Sequence, residues 1–557
     1  MKKTLALILA VIMVLTVIAG CAPTATDPDK EPNDPVSENT PQAGDITPVA
    51  DGTICTVSPN SDVVLLNYSD ISTFCPPNYT QAAEYVPGSL AYESLCDFDD
   101  NMNIRWVLAT GVDISDDNLE YTFSLREGIT FSDGTPWNAE ALKANFDLML
   151  DAEQAFLGVW LFEPVDHCEV VDEYTAKLVL KNTCASLLNI LAAYGGFMSP
   201  ALIEQGPEAW KNNVVGTGQY TLTEYRSGES MTFSLNRNYW GYDPEICGGT
   251  AMVEPDAGFN TITIKPVAEE ATRIAMLLSG EADIVNSLSA TNVATVEGNG
   301  KTVFKTIGSM VGYLYMNCQS AALSDVRIRQ AIAKAIDCDA LNQVVYGVLN
   351  QTCDSVIPPC ISFYERQGDM TVDIEGAKAL MAEAGYPNGG LTLVAWEEND
   401  TTDIQRGEFI QQQLAQIGIT LEVYPMEGGI LATEVGSYEG GPENQGYDIY
   451  IRGWTTDTFD PDEMLGRYMT KNFAPNGANY SYYSNAEYDA LCEQGASTID
   501  PAVREEAYSK AQKIIWEEKP VLPLLVNGFI GAYGSRIANF GYKSTGGLDF
   551  KTAKFAD

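Results

Sequence analysis

The sequence predicts an α/β protein built as two lobes, and three observations lead to that class. Residues 121–146, YTFSLREGITFSDGTPWNAEALKANF, compress a strand, two tight turns and a helix start into one phrase. Strand, helix and strand then follow one another twice more, over 261–285 and 391–424, the pattern of α/β units. Once the first 50 of the 557 residues are set aside as leader and tether, about 507 remain, too many for one compact domain and a normal size for two lobes.

The chain opens on an address. Lys2-Lys3 precede an apolar run from Leu5 to Ile18, followed by Ala19-Gly20-Cys21. That run is too short to span a bilayer comfortably, and small residues before Cys21 suit a processing enzyme rather than a stop-transfer anchor. Residues 1–20 are therefore expected to be a signal peptide. Ile18-Ala19-Gly20-Cys21 resembles a bacterial lipobox, which implies cleavage before Cys21 and a diacylglyceryl group on its sulfur. At about 0.8 kcal/mol per buried CH₂, two acyl chains hold a protein durably at a membrane. The segment 21–50 that follows has six prolines and no aromatic residue, so it cannot offset its ordering entropy and is expected to be a disordered tether. It would reach about 30 Å as a coil, or about 90 Å if polyproline-like. No second apolar segment is long enough to cross a bilayer.

Composition excludes some functions. With 32 basic and 76 acidic side chains the formal charge is −44, which repels nucleic acid, and no basic patch offsets it. The acid excess also serves solubility. Eleven cysteines follow Cys21, singly rather than in CxxC pairs. An exported protein can form disulfides, with Cys353 and Cys360 flanking Pro358-Pro359 as the best local pair; in an anaerobic host they would stay small buried thiols.

Within the body, Tyr121, Phe123 and Leu125 alternate with Thr122, Ser124 and Arg126, a strand with one buried face that ends near Arg126. Glu127-Gly128 and Asp133-Gly134 are turn dipeptides, and Asn138 caps a helix running through Ala144 and Phe146. Residues 261–265 form a strand that leads into a helix expected to turn Ala271, Ile274, Ala275 and Leu278 inward. Gly280 stops that helix, and Ala282-Asp283-Ile284-Val285 is the next strand. Gly298-Asn299-Gly300-Lys301-Thr302 has the end of a P-loop but Thr295 where its first glycine must stand, and reads as a hairpin turn. Residues 391–396 are an apolar strand. Ile410, Leu414 and Ile417 share one helical face before Gly418, and 419–424 alternates again.

The 121–146 phrase closely resembles the signature segment of family 5 of the bacterial extracellular solute-binding proteins, receptors of ABC importers for peptides and, in some members, nickel. Val215-Gly216-Thr217-Gly218-Gln219-Tyr220 with Asn238-Tyr239-Trp240 is similar to another paired motif of that family, Gln219 replacing a usual proline. Ser279-Gly280-Glu281-Ala282-Asp283-Ile284, and Asp325-Val326-Arg327-Ile328-Arg329-Gln330-Ala331-Ile332 ending in Ala335-Ile336-Asp337, resemble two more segments. Residues 479–489 and 507–523 look like its terminal helices and crossing strand. The resemblance runs in order over 55–540.

It implies a two-lobed periplasmic-binding-protein-like type II fold with two interlobe crossing strands, near 307–314 and 521–526. Lobe I would comprise 51–91, 214–311 and 520–557, with 92–213 as an extra subdomain, and lobe II 312–519. The implied function is that of a substrate-binding lipoprotein of an ABC importer. It captures short peptides in an interlobe cleft and delivers them to a permease and ATPase complex. It would work as a monomer without cofactor or resident metal, anchored through Cys21 on the outer face of the cytoplasmic membrane or the periplasmic side. Alternatives are an oligosaccharide-binding member of the family, with sugar rings stacked on aromatics, and a non-transport receptor for a peptide signal.

Residues 451–457, Ile-Arg-Gly-Trp-Thr-Thr-Asp, continuing to Asp460-Pro461-Asp462, resemble the segment lining the family's cleft in lobe II. The aspartate three residues after the tryptophan pairs with a peptide's α-amine in peptide-binding members, and here it is Asp457. Read alone, Asp457 is an exposed loop acid; read through the resemblance, it is the ammonium partner, and a vacant ammonium-sized space beside it would favour peptides over sugars. Trp454 is either a core anchor or an apolar cleft wall. Thr455 and Thr456 would present main-chain groups to an extended peptide. Arg452 meets a ligand carboxylate or forms a salt bridge within this acidic protein. Tyr482 and Tyr483 are further candidates, although alternating aromatics commonly pack a core.

Catalytic constellations are missing. His167 is the only histidine, with no nucleophile-elbow phrase to partner it, so the chain is not expected to be an enzyme. Carboxylate pairs such as Asp460 and Asp462 are too abundant here to indicate glycosidase work. One histidine offers little imidazole for nickel, which leaves only metal held in a small chelator.

Overall fold

Two long strands, Thr302–Met316 and Val521–Tyr533, run antiparallel at the centre of an eleven-stranded sheet. The computed structural model describes residues 54–79, 82–438 and 446–556; the expected signal peptide, Cys21 and the whole tether lie outside the described residues. Beyond Thr302–Met316 come Ile449–Trp454, Leu391–Glu398 and Ile419–Met426. Beyond Val521–Tyr533 come Ile284–Val285, Asp62–Asn67, Thr261–Pro266, Ser230–Leu235 and Tyr220–Arg226, while the short Gln351–Thr352 pairs alongside.

The central pair ties the two halves together. The pairing register breaks between Ile307 and Val311. Before the break, Thr302 to Ile307 pair with Gly528 to Tyr533; after it, Val311 to Met316 lie between Ile449–Trp454 and the start of Val521–Tyr533. The chain therefore crosses between halves twice, once on each strand, as a two-lobed type II fold requires. We propose the lobe limits at these crossings: 51–91, 214–311 and 520–557 for one lobe, 312–519 for the other, and 92–213 for the extra subdomain.

A separate four-stranded antiparallel sheet, in the order Ala109–Ile114, Glu120–Leu125, Thr175–Leu180, Val165–Asp172, carries the 121–146 phrase. Tyr121, Phe123 and Leu125 are buried, as alternation predicts. Gly128 and Gly134 adopt φ of +79° and +87°, conformations that glycine takes without cost. Asn138 accepts from the Ala141 amide at 3.0 Å and opens the helix Ala139–Met149. In the other half, Leu391–Glu398 and Ile419–Met426 pair in parallel through the helix Thr401–Ala415, with Ile410, Leu414 and Ile417 in the core.

Two expectations are corrected, and one of two open alternatives, free thiols, is what the structure has. The helix Glu270–Ser279 buries Arg273, Ile274 and Leu277, leaving Ala271 and Ala275 exposed and Leu278 half-buried. The face is rotated because the Arg273 guanidinium donates to the carbonyls of Val267, Ala268 and Ser287 at 2.7–3.1 Å. Residues 298–302 are not a hairpin: Ala290–Gly298 is helical, and Gly300 at φ +72° turns the chain into the strand Thr302–Met316. The eleven described cysteines are all free thiols, Cys353 and Cys360 included. Most are buried hydrophobes, and burial pushes the Cys168 thiol up to about 12.

Candidate functional site

The strand Ile449–Trp454 sends Ile449 and Ile451 into one core while Tyr450, Arg452 and Trp454 occupy the opposite face. Its continuation folds around one carboxylate. Glu463 Oε2 accepts from the Asp457 amide at 2.7 Å, the Thr458 amide at 3.0 Å, and the hydroxyls of Thr456 and Thr458 at 3.0 and 3.1 Å; Oε1 accepts from the Trp454 indole at 3.0 Å. Glu463 lies three residues after Asp460, the N-cap of the helix Pro461–Gly466. That is the acid-x-x-Glu spacing of a capping box, bent back here onto the preceding loop. Asp460, 1 % exposed, also takes a two-point bridge from Arg504 at 2.7 and 3.1 Å, which locks loop to helix.

Asp457 sits where the two halves meet. Its Oδ1 accepts from the Tyr194 hydroxyl at 2.5 Å, and Tyr194 ends the helix Leu187–Tyr194 of the 92–213 segment. Tyr85, from the helix Ala82–Ala91, packs edge-on against Tyr194 with ring centroids 6.0 Å apart. Burial pushes the Asp457 carboxyl above the usual range, the Tyr194 hydrogen bond opposing and the charge of Glu463 adding to the shift. Two further contacts close the same seam: Asn189 Nδ2 donates to the Phe459 carbonyl at 3.4 Å, and the rings of Phe98 and Phe459 lie 5.4 Å apart.

Trp454 forms a wall with an unusual backing. The Arg467 guanidinium lies 3.5 Å from its ring centroid, surrounded by Tyr315, Tyr468 and Tyr480. Arg467 is 6 % exposed, and its Nε and Nη1 have no hydrogen-bond partner. No carboxylate among the described residues pairs with it, and cation–π attraction partly takes that role. On the cavity side, Tyr315, Tyr450, Arg452, Trp454 and Tyr480, with Ala432 and Val435 of the helix Gly428–Ser437, line about 200 Å³. A larger hollow of about 440 Å³ runs along the exposed face of Glu270–Ser279, lined by that helix and Glu281 alone. No second element contributes side chains there, so the smaller cavity is the better candidate.

The structure places Arg452 and Trp454 on the cavity and Asp457 at the seam, with Trp454 and Asp457 linked through Glu463. Arg452 Nη1 donates to Glu398 at 2.7 Å, the salt-bridge reading. Thr455 is exposed, whereas Thr456 is 1 % exposed, its hydroxyl donating to Glu463 and accepting from the Phe459 amide. Tyr482, 3 % exposed, takes the core-packing alternative, with its hydroxyl on the Tyr438 carbonyl. Asp457 faces a phenol rather than vacant space. Tyr85, Tyr194, Glu463 and Arg467 were not anticipated. Only Glu463 carried a local signal, its spacing from Asp460.

Comparison with known proteins agrees with this architecture. The glutathione-binding protein GsiB of Escherichia coli strain K12 is 32 % identical over 496 residues, covering 88 % of this chain and 94 % of that protein. HbpA2 from Haemophilus parasuis superposes with a TM-score of 0.78 at 22 % identity, over 89 % of this chain and 100 % of its own. DppA from Helicobacter pylori, an ABC transporter-associated periplasmic binding protein solved with the peptide STSA, does so with a TM-score of 0.67 at 25 % identity, over 89 % and 98 %. Residues 103–476 match the family described as bacterial extracellular solute-binding proteins, family 5 Middle. With that match spanning most of the body, this chain belongs to family 5 of the bacterial extracellular solute-binding proteins.

Proposed function

We propose that this protein is the substrate-binding lipoprotein of an ABC importer, and that it captures short peptides by their free α-amine at Asp457 before docking to a permease and ATPase complex. The observation that carries the reading is the position of Asp457: a partly buried carboxylate at the seam, fixed by Glu463 and meeting the opposite half through Tyr194. A carboxylate so placed gains most from a cationic partner, because each charge alone is costly to bury. Relatives named for glutathione and for peptide complexes support the same ligand class, since glutathione also carries a free amine. In this reading Cys21 anchors a monomer to the membrane, and the protein releases its ligand unchanged.

Calorimetric titration tests it, using a short peptide, its N-acetylated form, and glutathione. The free peptide is expected to bind at least tenfold more tightly than the acetylated one, and Asp457→Asn to abolish that difference. Equal affinity for both forms removes Asp457 from its role. A second reading rests on the aromatic wall of Tyr315, Tyr450, Trp454 and Tyr480, which suits stacked sugar rings. Saturable binding of an oligosaccharide, unaffected by Asp457→Asn, would favour that reading.

A further inference from the structure

The arginines buried among the described residues are supplied with acceptors, with one exception. Arg273 donates to three carbonyls at 2.7–3.1 Å, Arg329 to three at 2.8–3.3 Å, and Arg126 to two at 2.7 and 3.0 Å. Arg406 pairs with Asp403, and Arg504 with Asp460. Arg467 is the exception. It is 6 % exposed, its Nη2 donates to the Ala478 carbonyl at 3.4 Å, and its Nε and Nη1 have no partner. A charge buried in this way is costly unless something offsets it.

The surroundings of Arg467 supply the second observation. Its guanidinium lies 3.5 Å from the Trp454 ring centroid, 5.6 Å from that of Tyr315 and 6.0 Å from that of Tyr480. Those three residues also line the cavity of about 200 Å³, so Arg467 stands directly behind its wall. The buried hydroxyl of Tyr315 has no partner either, nor has that of Tyr468, whose ring centroid is 5.7 Å from the guanidinium. Arg452, on the cavity itself, gives Nη1 to Glu398, and its planar fork carries further donors. Glu463 is committed to the Trp454 indole and to the amides and hydroxyls of 456–458. With Arg452 balanced by Glu398, the cavity carries the unmatched positive charge of Arg467.

We propose that this cavity receives an acidic side chain near the amine end of the peptide. Arg452 and the Tyr315 hydroxyl donate to its carboxylate, and Arg467 supplies the opposing charge from behind the Trp454 ring. The inference rests on the peptide reading above and narrows its substrate class to acidic peptides. Size agrees: whole small-molecule sites span about 300–1,000 Å³, so about 200 Å³ suits a single side chain. Position agrees as well, because Glu463 ties Trp454, a wall of the cavity, to the Asp457 amide. A neutral side chain leaves Arg467 buried without a counter-charge. A carboxylate offsets it in a low-dielectric pocket, where attraction across the thickness of one ring is weakly screened.

Calorimetric titration of the full chain tests this with the peptides Glu-Glu-Ala and Gln-Gln-Ala, both amidated at the C-terminus so that no terminal carboxylate enters the cavity. The acidic peptide is expected to bind at least tenfold more tightly. Arg467→Met is expected to bring the two within threefold while holding or raising the ligand-free Tm, since it removes a buried charge that nothing balances. A guanidinium that only stacks the rings would instead lower Tm on removal and leave the ratio unchanged. Tyr315→Phe keeps every ring and is expected to cut the ratio at least threefold, which decides the question should Arg467→Met fail to fold. Overturning results are equal affinity for the two peptides, a ratio unchanged in the folded variants, no binding of the acidic peptide, or a gain on freeing the Gln-Gln-Ala terminal carboxylate that the variants abolish. Acetylating the amine tests Asp457 separately: amine dependence without a preference for the acidic peptide overturns the subsite alone, and that preference without amine dependence overturns the amine reading alone.

Discussion

Asp457 makes opposite demands on pH for binding and for folding. Only its charged form attracts an ammonium group, and burial has raised its pKa above that of an exposed aspartate, about 3.9. Affinity for an amine-bearing peptide should therefore begin to fall at a higher pH than an exposed aspartate would allow as the solution is acidified, and Asp457→Asn should be flat over the same range. Folding runs the other way. A carboxyl whose native pKa is raised holds its proton longer in the folded state, so its contribution is fully present in acid and is lost as pH rises through the native value. Glu463 makes a different kind of contribution, through the donors it satisfies. Glu463→Ala strands the Trp454 indole, two hydroxyls and two amides, and at about 1–3 kcal/mol per unsatisfied buried group should destabilise by about 3 kcal/mol or more in thermal unfolding. Glu463→Gln keeps an acceptor and should lose less than half of that.

The elements that position the site differ in how far local sequence determines them. Asn138→Ala should cost about 1 kcal/mol, because its cap satisfies an amide that nothing else reaches. Arg504→Met leaves Asp460 buried without its partner and should cost about 3–5 kcal/mol, measured as a fall in Tm against the wild type. The first effect was readable in the chain, where Asn138 precedes a helical run; the second was not, because 44 residues separate Arg504 from Asp460. The same division holds elsewhere. Alternation placed Tyr121, Phe123 and Leu125 correctly, and the 3.6 period placed Ile410 and Leu414. Periodicity failed on Glu270–Ser279, where Arg273 reads as polar and yet is drawn inward by three carbonyls. At the candidate site, resemblance located Asp457 and Trp454, but Tyr194 lies 263 residues away, and no spacing rule relates the two.

At the scale of the whole molecule, the Tyr194–Asp457 hydrogen bond spans the seam that a hinge on the two crossing strands would open. A hydrogen bond to a charged acceptor contributes about 1.5–3 kcal/mol. Each 1.4 kcal/mol is a tenfold change in population, so this single bond biases the ligand-free molecule toward the closed state by about ten- to a hundredfold. The phenol occupies one oxygen of the carboxylate assigned to the ligand amine, so a peptide ammonium arriving there competes with Tyr194 and then takes over its bridging role. Tyr194→Phe removes the bond and keeps the ring packed on Tyr85. Small-angle scattering of the ligand-free variant should give a larger radius of gyration than the wild type, and the two should converge at saturating peptide, where the ligand holds the halves together. Peptide affinity should change by less than tenfold, because the variant loses the closed-state bias and the competing phenol at once. Coincident scattering curves for wild type and variant, with no contraction of either on loading, would mean that the crossing strands are a rigid strut and that ligand enters without domain motion.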